Sequence, residues 1–157
     1  MSNAVVVRSD VSSALALELV AAVHRECERR GIQLAAAVVD RGGNLVAAAR
    51  MDDCQLGALG LAVDKAFTAV SFGAPTSAWV ERSAPGGSDW GLGQTLGGRA
   101  IVFPGGVPLF VGGQLIGGVG VSGAASAIDE ECALAAIAAC GLDVLSLIHI
   151  SEPTRPY

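Results

Sequence analysis

Residues 103–123, FPGGVPLFVGGQLIGGVGVSG, restrict this chain's fold more than any other segment: eight glycines and no charge fall within twenty-one positions. The uncharged run reaches from 100 to 128, long enough to cross a bilayer as a helix. Its turn-like glycine pairs argue otherwise. Segments 101–103, 107–111 and 114–121 are separated by Pro104-Gly105-Gly106 and Gly112-Gly113, turn signals at strand-like intervals. A flexible linker would be less apolar, and no GxxxxGK[ST] or complete GxGxxG unit stands between a strand and a helix to hold phosphate. Buried strands that pack closely because their glycines interpose no side chain are the economical reading.

The rest of the chain alternates helical and strand patterns. Residues 9–30 form a predicted helix: Ser9 and Asp10 stand at its start, Ala16, Leu19, Val20, Val23 and Cys27 share one face, and Arg29, Arg30 and Gly31 supply a helix stop. Residues 32–39 and 44–50 around Asp40-Arg41-Gly42-Gly43 predict a hairpin. A second helix spans 55–72 through Leu56, Leu59, Val63, Ala66 and Val70, and Gly73 with Pro75 ends it. Thr76 caps a predicted short helix over 77–83, and 84–98 is a long loop of turn chemistry. A last helix covers about 126–142, with Asp129, Glu130 and Glu131 near its positive end. The order implies an α+β fold, with helices packed on a mainly antiparallel five-stranded sheet.

Composition narrows the partners. The chain has 157 residues, 52% of them apolar but 4% aromatic, so its core relies on small side chains. A formal charge of -5 removes the usual attraction to nucleic acid or anionic membranes. The four cysteines form no CxxC pair and the N-terminus lacks a signal-peptide pattern, which together read as a reduced, cytoplasmic protein. Residues 145–157, LSLIHISEPTRPY, break the alanine-rich pattern and resemble the translation of a sequencing-library adapter. They are set apart from one domain over 1–144, with the natural C-terminus missing on that reading.

Two blocks carry a family resemblance: AAAVVDRGGNLVAAARMDDCQLGALGLAVDKAFTAVSFGAPTS at 35–77 and FPGGVPLFVGGQLIGGVGVSGAASAIDEECALAA at 103–136. VVDxGG, RMD, DKA, PGGVP and GVSG in this order resemble the GlcG/HbpS family, which includes the C-terminal domain of PduO-type proteins. That resemblance implies a profilin-like α/β/α sandwich, homo-oligomeric assembly and, for some members, binding or breakdown of haem.

The candidate ligand residues follow. Arg50 and Lys65, if directed into one cleft, could hold a carboxylate such as a haem propionate, Arg50 as a bidentate fork and Lys65 as a point charge; the alternative is ion pairing with Asp40, Asp52, Asp53 or Asp64. His24 and Cys27 lie three apart on one helix face, so His24 could ligate a haem iron or stand beside the core stripe. Met51 offers a thioether or fills a gap. Gly105, Gly106 and Val107 could present amides to an anion, with Pro108 stiffening the turn, or could form a plain turn between strands. Asp40, Asp52 and Asp89 are the candidates for acid–base work, and no GxSxG or HExxH pattern names a nucleophile or metal. A haem- or tetrapyrrole-binding oligomer, an enzyme acting on a small carboxylated metabolite, and an assembly domain without ligand all remain compatible with these residues.

Overall fold

A computed structural model describes residues 3–143. The predicted 145–157 tail, with His149, lies outside them. The elements are α1 (Ser13–Arg30), β1 (Ala35–Asp40), β2 (Leu45–Arg50), α2 (Ala58–Phe72), β3 (Gly106–Val111), β4 (Gln114–Ser122) and α3 (Ser126–Ala139). Short 3-10 turns occupy Thr76–Trp79, Leu92–Gln94 and Leu96–Gly98.

Helix α1 starts later than its sequence signal. Ser12 is the N-cap, its Oγ accepting from the Leu15 amide, whereas Asp10 Oδ1 accepts from the amides of Val11 and Arg41 and ties the chain to the β1–β2 turn. The stop is as expected: Gly31 is left-handed at φ 70°, and the amides of Gly31 and Ile32 return to the carbonyls of Glu28 and Cys27.

The sheet is antiparallel throughout in the order β2-β1-β4-β3. It has four strands among the described residues, not five. Residues 101–103 form no strand; the Ile101 amide donates to Thr68 Oγ1 on α2 at 2.9 Å, and that hydroxyl lies 3.1 Å from the Arg99 carbonyl just before the segment. Pro108, expected in a turn, is inside β3 opposite Gly118; β3 is an edge strand, where a missing amide is tolerated. Thr76 is not a helix cap. Its hydroxyl accepts from the Gly106 amide at 3.0 Å, and Pro75 precedes a single 3-10 turn in place of the helix predicted over 77–83.

Three layers result. Helices α1 and α3 cover one face, burying Ala36, Val38, Val107, Leu109, Val119 and Val121 with Leu19, Val23, Cys132 and Ile137. Each fully buried valine or leucine contributes roughly 1.5–3 kcal/mol. Helix α2 covers the other face, where Ala35, Ala37 and Val39 of β1 meet Ala58, Ala62, Ala66 and Val70.

The glycine-rich segment explains how closely α2 approaches. Gly106 and Gly120 are cross-strand partners, and Gly118 is two residues away on the same face of β4. A Cβ on Gly120 would collide with the Ala62 carbonyl, one on Gly106 with the Lys65 carbonyl, and one on Gly118 would lie 2.6 Å from the Ala66 carbonyl oxygen. The helix therefore rests on sheet backbone. Gly112 and Gly113, at φ 56° and 77°, form the two-residue β3–β4 turn, which needs left-handed residues to match strand twist. Among the described residues, no helix is long and apolar enough to cross a membrane.

Candidate functional site

The predicted ligand residues divide between two places. The first is a closed polar node where the middle of α2 meets the end of β4 and the first turn of α3. Lys65 is 1% exposed, and its Nζ donates to Asp129 Oδ2 and to the Val121 carbonyl, both at 2.9 Å, with the Phe103 ring centroid 5.2 Å away. Asp129 Oδ1 accepts from the Ala124 amide at 3.0 Å. Burial pulls the Lys65 ammonium below the usual lysine range, and Asp129 opposes that shift.

This node has no room for a ligand. A Cβ on Gly105 would lie 2.6 Å from Lys65 Nζ, so the glycine at φ 131° exists to let the lysine pass. Of the amides expected to cradle an anion, that of Gly106 donates to Thr76 Oγ1, and Val107 is fully buried, with its side chain in the core. The ion pair foreseen for Lys65 exists, but with Asp129 and not with any of the aspartates proposed from the sequence.

Asp129 had a legible signal. Buried Asp129, Cys132, Ala133, Ala136 and Ile137 follow helical spacing, just as Lys65 falls among Ala58, Ala62, Ala66 and Ala69 on α2. A charge on each of two buried stripes calls for a partner of opposite sign.

The second place is an open cavity of about 550 Å³ between α1 and the end of β2, lined by His24, Glu28, Gln33 and the run 49–53. Arg50 is exposed there and Lys65 is not among the lining residues, so the two cations do not share a cleft. His24 Nε2 lies 3.2 Å from the Ala49 carbonyl; it must donate, which leaves Nδ1 as the free acceptor of the neutral ring. Arg50 forms no salt bridge among the described residues. Met51 packs against the core, its amide donating to the Leu34 carbonyl and its sulfur accepting from the Leu34 amide at 3.4 Å.

Cys27 does not join His24. It is wholly buried, and burial together with the neighbouring Cys132 pushes its thiol up to about 12. Among the described residues no group of three or more histidine, cysteine, aspartate or glutamate side chains could hold a metal ion. The candidate acids Asp40 and Asp89 are engaged elsewhere, with Asn44 and Arg82 respectively, whereas Asp52 and Asp53 lie at the cavity. Asp53 adopts φ 63°, a left-handed conformation that aspartate tolerates, and turns the chain after β2. Glu28 and Gln33 were not singled out from the sequence, and Asp53 only as an ion-pair partner, because nothing local marks residues that only a helix-to-strand packing brings to one opening.

The family model for "Haem degrading protein HbpS-like" matches residues 11–138. The chain belongs to the HbpS-like family. Protein GlcG of Escherichia coli (strain K12) is 36% identical over 112 residues, which covers 71% of this chain and 81% of that protein. The corrinoid adenosyltransferase PduO of Salmonella typhimurium is 36% identical over 119 residues, covering 76% of this chain but 35% of the longer relative. Among solved structures, that of a PduOC:heme complex superposes with a TM-score of 0.82 at 31% identity, covering 85% of this HbpS-like chain and 97% of the other.

Proposed function

We propose that this chain binds haem or a related tetrapyrrole at the cavity between α1 and β2. The observation that carries the reading is the joint presence there of an imidazole with a free ring nitrogen and a guanidinium without a carboxylate partner among the described residues. The family description and the PduOC:heme complex support it.

The donors fit. His24 would face iron through Nδ1, because its Nε2–H is held by the Ala49 carbonyl, a bond that also fixes the tautomer and the ring's orientation. Arg50 would take a propionate as a fork. The carboxylates of Glu28, Asp52 and Asp53 disfavour a propionate elsewhere in the opening, so they orient the ring. Met51, its sulfur already accepting from Leu34, would touch the ring and not the iron. Bound haem would supply the redox chemistry.

One chain offers Ala49 and Met51 as the apolar wall, too little to cover both faces of a tetrapyrrole. A second copy supplying the opposite face accounts for the expected homo-oligomer. Free cysteines at 27, 54, 132 and 140 suit the reducing cytoplasm.

Titration with haemin tests the reading. A saturable Soret shift is expected, weakened about tenfold or more by Arg50→Ala and altered in position by His24→Ala. Absence of a shift up to roughly tens of micromolar haemin, or identical titrations in both variants, would overturn it.

A further inference from the structure

A second opening lies at the other end of the sheet. Its volume is about 320 Å³, and Arg8, Arg41, Phe110, Leu115 and Gly113 help to line it. The register of β1 separates the two sites: Ala35 pairs with Arg50 beside the first cavity, and Asp40 pairs with Gly117 beside the second. Five strand intervals at about 3.3 Å put roughly 17 Å between them.

Three observations give this opening a chemistry. Neither Arg8 nor Arg41 forms a salt bridge among the described residues, in a chain whose formal charge is -5. Arg41 is held in place: its amide donates to Asp10 Oδ1 at 2.9 Å, and its Nη1 donates to the Leu115 carbonyl at 2.6 Å, which leaves the other guanidinium donors available. Arg8 is carried by a segment that is itself anchored three residues on, where the Val11 amide donates to the Ile116 carbonyl at 2.9 Å.

The nearby carboxylates pair with neither guanidinium among the described residues. Asp10 Oδ1 accepts from the backbone amides of Val11 and Arg41, and Asp40 accepts from the amide and side chain of Asn44. Phe110 and Leu115, both partly exposed, form the apolar wall beside the arginines.

We infer that this opening binds a small carboxylate with a short apolar or aromatic tail, its carboxylate held between Arg8 and Arg41 and its tail against Phe110 and Leu115. A guanidinium fork matches the two oxygens of a carboxylate. The volume stands at the lower end of ligand pockets, suited to a metabolite and not to a tetrapyrrole. Inorganic phosphate would meet the same cations but gain nothing from the apolar wall. The site is independent of the haem reading, since it shares no lining residue with the first cavity.

Benzoate and inorganic phosphate are the probes, followed by amide chemical shifts of the full chain. Benzoate should move the Gly113, Gln114 and Leu115 amides saturably at millimolar concentration, with phosphate at least about tenfold weaker. Arg8→Ala, at an exposed position, should weaken benzoate several-fold without changing the melting temperature, and Arg41→Lys should do the same through loss of the fork. No saturable shift at these amides up to tens of millimolar, equal binding of phosphate, or benzoate affinity unchanged in Arg8→Ala would overturn the inference.

Discussion

Replacing Lys65 by methionine keeps most of the buried stem and removes the ammonium, leaving Asp129 with only the Ala124 amide and the Val121 carbonyl without its lysine donor. The two side chains are 1% and 2% exposed, so water cannot replace the lost partner. Removing one member of a buried pair costs about 3–5 kcal/mol. With an unfolding entropy of about 2.1 cal/mol/K per residue over roughly 140 folded residues, ~4 kcal/mol corresponds to a melting temperature lower by ~14 °C. The double variant Lys65→Met with Asp129→Asn removes both charges, while the carboxamide oxygen introduced on α3 can still accept from the Ala124 amide. It should be less destabilised than the sum of the single changes by ~2 kcal/mol or more. Chemical denaturation of wild type, both singles and the double gives that coupling. If the four free energies are additive within about 0.5 kcal/mol, or if Lys65→Met costs less than about 1 kcal/mol, the buried pair does not hold α2 to α3 as argued.

Other changes probe other layers. Gly118→Ala should destabilise by about 1–3 kcal/mol, because the new Cβ lies 2.6 Å from the Ala66 carbonyl oxygen and α2 must lift; an unchanged urea midpoint would show that the helix does not rest on sheet backbone. Hydrogen bonds from Arg29 and then Arg30 lower the Glu26 carboxyl from 4.5 to about 2. Its folded value is depressed, so its stabilising contribution is complete above pH 4.5 and is lost as the pH falls toward 2; Glu26→Gln should flatten the stability curve across that window, and an identical slope would exclude the clamp. Burial raises all four thiols, so access decides the order: fully buried Cys27 and Cys132 should resist a thiol reagent at about pH 8 while the partly exposed Cys54 and Cys140 react first, as mass spectrometry of the labelled chain would reveal.

Much of the architecture was readable because it depends on neighbours in the chain. The stripe Ala16, Leu19, Val20, Val23 and Cys27 forms the buried face of α1, and Arg29, Arg30 and Gly31 end that helix where the pattern says they should. The apolar pieces 107–111 and 114–121 fall within β3 and β4, and Gly112-Gly113 turns between them. The fifth strand failed for a nonlocal reason: Thr68, more than thirty residues earlier, captures the backbone at Arg99 and Ile101. Thr76 misled in the same way, since its hydroxyl has the chemistry of a helix cap but is used by Gly106 on another element.

What the amino-acid order determined alone is the three long helices, the two hairpins and the closeness of the glycine strands, because spacing and turn chemistry act residue by residue. Only the tertiary structure decided that Lys65 meets Asp129, sixty-four positions away, and that Arg50 instead lines a cavity with His24. Those pairings depend on which ends of the sheet the helices cross, and in an antiparallel sheet packed between helices that is set by the fit of whole layers.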